Sequence, residues 1–477
     1  MDNALVRSTV GQLWDQEILP SLTEFVAIPA LSPVFDVNWQ QTGHLDAAVD
    51  HVRRWLDSRG IEGATTEVLR LPDRTPVLLL DVPPTGEPRE DAGTVLLYGH
   101  LDKQPPVGGW SEGLGPWSPV VRDGKLYGRG AADDGYSGYA ATAAIEAVRA
   151  AGGSHARCVV LLETSEESGS PDLPAYLEQF RDRLGDVSLV VCLDSGGGDY
   201  ERMWLTTSLR GMASTTVTVR VLESGQHSGM ASGIVPSSFR IMRQLLDRVE
   251  DAATGEILIS EMHGEVPAER MAEIKAMADL APGFAQSAFP LVKGMRPVSD
   301  DEVELGLNNS WRPTMSVIGA DGLPLPADAG NVLRPETTLT LSFRLPPSAD
   351  PDAALEAVQR VLTTDVPYGA HVTLSRSEAA RGWNAPTLAP WLQSALDSLS
   401  ETVFGGNQWQ TMRLGGSIPF METMASTYPD AQFVVTGALA ADSNAHVPDE
   451  WLHLAQAQRV SEAVALIVDA HAAHQGG

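Results

Sequence analysis

Two rhythms of apolar and polar residues divide the chain. Over roughly the first two hundred positions, stretches with a helical repeat alternate with short runs that are apolar throughout. Residues 12–25 and 44–58 repeat their apolar side chains at helical spacing, the second ending at Gly60, and the alanine-rich stretch 137–151 stops at Gly152-Gly153. Between and after them, residues 77–82, 94–98, 159–162 and 189–193 are short and apolar, as strands buried on both faces are. This strand–helix alternation predicts a mainly parallel sheet covered on both sides.

After about Leu209 the period becomes two. Thr216, Thr218 and Arg220 alternate with Val217, Val219 and Val221, residues 339–345 alternate likewise, and helical stretches such as 237–250 lie between them. Strands with one polar face and helices on the other describe a small open α+β sandwich. The first rhythm returns after Trp383, with helical residues 390–403, a strand over 433–436 and a closing helix over 452–472. At 477 residues the chain is also long for one core. The expected fold class is α/β: a discontinuous, mainly parallel-sheet domain, residues 1–207 plus 385–477, interrupted by an inserted α+β sandwich, residues 208–384. Insertions of this kind enter at surface loops where chain ends lie close.

Composition narrows the function classes. A formal net charge of -29 argues against nucleic-acid binding, which needs clustered Lys and Arg. No apolar run approaches the roughly 20 residues that span a bilayer, and the first residues lack a basic-then-apolar export pattern. The two cysteines, Cys158 and Cys192, sit in apolar strands and read as buried free thiols. The expectation is a cytoplasmic protein.

The candidate chemistry lies where apolar runs end. His100, Asp133, Glu167, Asp194 and His446 each follow or border such a run and are spread along the whole chain. In Gly99-His100-Leu101-Asp102 the two side chains of a strand end point the same way, so Asp102 can accept a hydrogen bond from the ring nitrogen of His100 that faces away from a metal. In Gly128-Arg129-Gly130-Ala131-Ala132-Asp133-Asp134, a glycine-rich turn carries two acids that either favour the start of the next helix or offer a carboxylate able to bridge two cations. Adjacent Glu166 and Glu167 repel each other unless a cation or a proton-transfer duty compensates, so one ligand and one general base is the economical division. Asp194 follows the run 189–193, at the strand end where open α/β sheets bind ligands. His446 supplies a second imidazole. Nitrogen and oxygen donors without cysteine suit two divalent ions, zinc first, with manganese or cobalt as alternatives.

With these residues in place, the chain resembles the co-catalytic metallopeptidases that include carnosinases, cytosolic non-specific dipeptidase, carboxypeptidase G, aminoacylase and succinyl-diaminopimelate desuccinylase. The resemblance covers nearly the whole chain and is greatest to the carnosinase-like dipeptidases. It is carried by Gly99-His100-Leu101-Asp102 with Gln104-Pro105, by residues 123–130, by Glu166-Glu167-Ser168-Gly169, and by His227-Ser228-Gly229, Phe343-Arg344-Leu345 and Gly415-Gly416-Ser417-Ile418-Pro419. It implies that His100 and Asp194 bind one metal, Glu167 and His446 the other, and that Asp133 bridges them. It further implies that Glu166 is the general base, Asp102 the orienting acid, and residues 208–384 a lid and dimerisation domain. His227 would then stabilise the oxyanion in a neighbouring subunit, Arg344 would grip a substrate carboxylate, and Asn331 and Ser417 would contact substrate. The implied activity is hydrolysis of a peptide bond next to a free C-terminus, by a homodimer. An N-acyl-amino-acid amidohydrolase is the alternative, and a non-catalytic relative a remote one. Two departures bear on substrate choice. Gly135-Tyr136 follows the paired aspartates where relatives carry Lys-Gly, and Lys103 replaces an apolar residue, which is expected to rearrange charge near the pocket mouth.

Overall fold

Successive residues of the Thr94–His100 strand are buried in two different cores, Val95 and Leu97 in one, Leu96 and Tyr98 in the other. The Cys158–Glu163 and Val187–Cys192 strands do the same, sending Val160, Leu162 and Val191 to the first core and Val159, Leu161 and Val190 to the second. A strand covered on both faces has no polar side to alternate with, which is why these segments read as unbroken apolar runs. The computed structural model describes every residue except Glu90, Ala288, Ser417, Ala441 and 475–477.

These strands belong to a six-stranded sheet with the spatial order 65–69, 77–82, 158–163, 94–100, 187–192 and 432–435. Its last four strands run parallel to one another. The Val77–Val82 strand runs against both of its neighbours. The sheet is therefore the mainly parallel one expected. Helices Ser137–Ala150 and Leu454–Ala473 bury their apolar sides in the first core, and helix Leu173–Leu184 in the second. The first helix differs from the reading of residues 12–25. It begins at Asn3, where Asp2 accepts hydrogen bonds from the N–H groups of Ala4 and Leu5 at 2.9 and 3.2 Å. It then widens to a π turn at Trp14–Ile18, just ahead of Pro20 in the next helix, Leu19–Val26. Proline lacks the N–H that would continue the i→i−4 ladder.

A four-stranded antiparallel sheet follows, in the order 314–321, 336–345, 211–220 and 371–380. Val217, Val219, Leu341 and Phe343 pack with helices Ser238–Leu246 and Pro351–Thr363 in a core of their own. The opposite face is a hydroxyl ladder, Thr216 to Thr340 at 3.0 Å and Thr218 to Thr338 at 2.8 Å. This is the α+β sandwich that the two-residue period foretold. The Thr314–Asp321 strand lies at its edge, with Ile318 65% exposed.

One stretch inside 208–384 packs elsewhere. Helix Ala268–Leu280 lies on the Gln410–Leu414 strand, placing Met277 against Trp204 and Met412. The Thr207 hydroxyl donates to Glu273 at 2.7 Å, and Arg413 donates to the Gly306 carbonyl at 2.9 Å. Among the described residues, no helix is long and apolar enough to cross a membrane.

Candidate active site

The carboxyl ends of the parallel strands converge on one place. His100 ends its strand, Glu163 ends the neighbouring one and leads into the short 3-10 turn Glu166–Ser168, and Asp194 lies two residues past Cys192. Asp133 and His446 arrive from loops rather than strand ends. Asp133 precedes helix Ser137–Ala150, whose N-cap is Tyr136, so neither aspartate caps that helix. His446 holds a left-handed backbone, φ 66°, a conformation that costs a non-glycine residue about 1 kcal/mol or more. Two close approaches require glycine. A Cβ on Gly437 would lie 1.9 Å from the Ser195 carbonyl oxygen, beside the bridge between Gly437 and Asp194, and one on Gly135 would lie 2.3 Å from the Phe25 ring.

The side chains form two groups that share Asp133. His100 Nε2 lies 3.3 Å from Asp133 Oδ1 and 3.8 Å from Asp194 Oδ2. His446 Nε2 lies 2.8 Å from Asp133 Oδ2 and 3.4 Å from Glu167 Oε2. In each group, His100–Asp133–Asp194 and Asp133–Glu167–His446, one potential ligand atom per residue falls within 4.8 Å of the others. Four of the five side chains are nearly or fully buried, and His446 is 53% exposed. Among the described residues, His100 Nε2 and Glu167 Oε1 are buried with no hydrogen-bond partner. A buried polar atom left unpaired costs about 1–3 kcal/mol, and a cation placed among these atoms would satisfy both. The residues therefore fit divalent cations.

Electrostatics agrees. Burial, then the charge of Asp133, pushes Glu167 well above the usual carboxyl range, and burial with Asp133 and Glu166 does the same to Asp194. Burial, helped by Glu163, Asp102 and Asp133, raises Glu166 to about 8. Asp133 goes the other way despite its burial, because His100 and His446 hold its charged form. Those carboxyl groups crowd a buried volume that positive charge would relieve.

A second layer of groups fixes the first. His100 Nδ1 meets the carbonyl oxygen of Asp102 at 3.0 Å, with the Asp102 carboxylate farther off at 3.5 Å. The carboxylate accepts instead from the N–H groups of Glu166 and Glu167, at 3.2 and 3.0 Å. Asp102 thus braces the imidazole through its main chain and the Glu166–Glu167 turn through its side chain. Asp134 accepts from the His100 N–H at 3.2 Å, and Gln104 donates to Glu167 Oε2 at 2.6 Å.

Sequence reasoning missed two buried groups, Glu450 and Glu163. Glu450 accepts from the Gly130 N–H at 2.9 Å, from Arg129 Nη1 at 2.5 Å, and more distantly from the Ala132 and Asp133 N–H groups, so it shapes the loop that presents Asp133. An arginine between two glycines, in Gly128-Arg129-Gly130, was the available signal. Glu163 accepts from Tyr98, Ser170 and Ser165 beneath the site. Lys103 corrects an expectation. It is fully buried, with Nζ donating to the carbonyls of Phe25, Val26 and Ile28 at 2.9, 3.2 and 2.8 Å, so its charge does not reach the surface. It terminates the Leu19–Val26 helix as a cation at a helix C-terminus.

The expected substrate residues lie outside this cluster. His227 is exposed on the strand pair 226–227 and 332–333, with Nδ1 accepting from the Gly229 N–H, and Asn331 is joined to it through the Ser228 N–H at 2.9 Å. Arg344 faces Thr314 and Met212 across the antiparallel sheet. Among the described residues none of these three bonds to the clustered acids and imidazoles. Ser417 lies outside the described residues.

The pattern of Peptidase family M20/M25/M40 matches residues 96–470. The chain belongs to this family and is a hydrolase of peptide bonds. Among particular proteins, it is 28% identical over 386 residues to the cysteinylglycine-S-conjugate dipeptidase of Corynebacterium striatum, covering 80% of this chain and 81% of that one. It is 27% identical over 360 residues to the Beta-Ala-His dipeptidase of Homo sapiens, covering 73% and 69%. In fold it is similar to human carnosine dipeptidase 1, with TM-score 0.76 at 23% identity over 99% of this chain and 100% of that one. The dipeptidase Dug1p of Saccharomyces cerevisiae gives TM-score 0.78 at 20% identity over 100% and 99%.

Two outcomes follow. Glu450→Gln leaves the buried Arg129 without its counter-charge and is expected to cost about 3 kcal/mol in chemical denaturation, where a loss below about 1 kcal/mol would count against the assignment. In chelated protein, Asp134 and Glu166 at about 8 and His446 at about 9 keep protons that the unfolded chain has released. Lys103, lowered by burial to about 7, and His471, lowered by burial to about 4, work the other way, as do His155 and His453, which burial also lowers, but they are outnumbered by the raised groups. Folded-state protonation thus exceeds unfolded, so stability falls as pH rises through this window. Chelated protein should melt at a lower temperature near pH 9 than near pH 6, and an increase in melting temperature over that range would contradict the arrangement.

Proposed function

We propose that this chain is a two-metal dipeptidase that cleaves the amide bond next to a free C-terminal carboxylate. The observation that carries the reading is one carboxylate, Asp133, shared between two groups of nitrogen and oxygen ligands, with the side chain of Glu166 beside them and without a hydrogen bond among the described residues. His100 and Asp194 would hold one cation, Glu167 and His446 the other, and Asp133 both, with zinc favoured by the donor set. Two cations held there would supply Lewis-acid chemistry, lowering the pKa of a water and polarising the scissile carbonyl.

Glu166 takes the proton of the attacking water and passes it to the leaving nitrogen. Asp102 ties base and ligands to one support, because its carboxylate holds the N–H groups of both glutamates while its carbonyl holds His100. Arg344 receives the substrate carboxylate. It is desolvated, makes no ion pair among the described residues, and lies close enough to Arg210 for the two charges to oppose each other. Two guanidinium groups without an acid between them favour an anion. His227 donates to the developing oxyanion of a neighbouring subunit, and Asn331 and Ser417 contact the substrate. Residues 208–384 serve as lid and dimerisation domain around the discontinuous catalytic domain, residues 1–207 and 385–477.

A homodimer is supported by the unpaired Thr314–Asp321 edge with exposed Ile318, and by Ile234, 82% exposed shortly after His227. A cytoplasmic location is supported by Cys158 and Cys192, both free and buried. The names of the relatives support a dipeptide substrate. The N-acyl alternative differs in whether the substrate amine is free, and matched free and N-acetylated dipeptides separate the two.

Glu166→Gln is expected to keep its metal content while turnover falls about 10²-fold or more, and full turnover would remove Glu166 from the base role. Arg344→Met should raise KM for free dipeptides and leave C-terminally amidated ones unaffected; equal losses on both would exclude carboxylate recognition. Ile318→Asp should convert a dimer to monomers in sedimentation, whereas an unchanged assembly would place the interface elsewhere.

A further inference from the structure

A cavity of about 270 Å³ opens beside Asp194. Its walls are apolar, formed by Met277, Phe284, Phe289, Met412, Leu414 and Leu439. Three of these come from the excursion that packs on the Gln410–Leu414 strand, and Trp204 backs Met277 and Met412 from behind. Among the described residues, Asp194 is its one carboxylate, and its one cationic side chain, Arg413, donates from Nε to the Gly306 carbonyl at 2.9 Å. The volume far exceeds the roughly 10–15 Å³ that one water needs, and apolar walls hold water poorly. A charged side chain entering here would lose its hydration against mostly apolar walls. An apolar recess with a few polar groups at its rim is the usual form of a small-molecule site.

We infer that this cavity is a specificity subsite that takes an apolar side chain of the substrate, aliphatic, aromatic or thioether, on the side of the scissile bond that abuts Asp194. The inference rests on the dipeptidase reading and adds to it the class of side chain preferred. The same chemistry can come from either residue of a dipeptide, so the two positions are tested separately.

The metal-loaded enzyme is assayed on two series, X-Gly and Gly-X, with X as Ala, Leu, Phe and S-benzyl-cysteine. In one series kcat/KM should rise about tenfold or more from Ala to Leu or Phe, the order of gain that a filled apolar pocket gives, while the other stays nearly flat. Ala285→Trp, filling the cavity from its half-buried rim, should erase that gain, bringing kcat/KM for Leu or Phe down to that for Ala. Met277→Ala, enlarging it from the wall, should shift the preference toward S-benzyl-cysteine. Thermal melting confirms that each variant is folded, and the two act from different elements. Chelator-sensitive cleavage of the Ala substrates with no apolar preference in either series, or a preference that survives both variants, overturns the subsite and leaves the dipeptidase reading intact. Failure to cleave any member of either series removes both.

Discussion

The structure depends on holding several carboxylates together where water cannot screen them. Asp133, Glu166, Glu167 and Asp194 gather at the carboxyl edge of a sheet buried on both faces, where burial and the charge of Asp133 push the other three away from ionisation. Only positive charge makes such a cluster worth its cost, and two imidazoles, one on each side of Asp133, begin to supply it. The rest of the molecule keeps those groups from relaxing apart. Glu450 clamps the Asp133 loop, Asp102 clamps the glutamate turn, and Asp134 fixes the His100 main chain. Each clamp is a carboxylate accepting main-chain N–H bonds, so the support is itself built from acids.

That dependence explains how labour is divided along the chain. The sheet gives rigid ends from which His100 and Asp194 project, while loops supply His446 and Asp133 at angles that regular structure does not reach. The left-handed backbone at His446 is one such angle. The antiparallel unit contributes no group to the cluster among the described residues. Arg344 lies on one of its strands, and His227 and Asn331 lie at the separate strand pair 226–227 and 332–333.

Much of this was legible in the sequence. Apolar runs on both strand faces fixed the parallel sheet, because a buried strand has nowhere to place polar residues, and the Thr–Val alternation fixed the second sheet for the opposite reason. The five ligand-type residues were legible because acids and histidines at the ends of apolar runs are unusual. The supports were not. Glu450 and its Arg129 are separated by 321 positions, and the carbonyls that bury Lys103 lie at a helix end more than seventy residues earlier. A lysine or glutamate with distant partners carries no local sign of burial. Nor did any periodicity reveal that residues 268–311 would turn back onto the Gln410–Leu414 strand, since that helix distributes its apolar residues around its circumference.

The account stands or falls on Asp133 as the shared ligand of a pair of cations. Elemental analysis of the purified, active protein beside its Asp133→Ala variant tests this directly. The account predicts two divalent ions per chain, with the variant losing both while remaining folded. Active protein holding no such ions, or a folded variant that keeps the full complement, would contradict it.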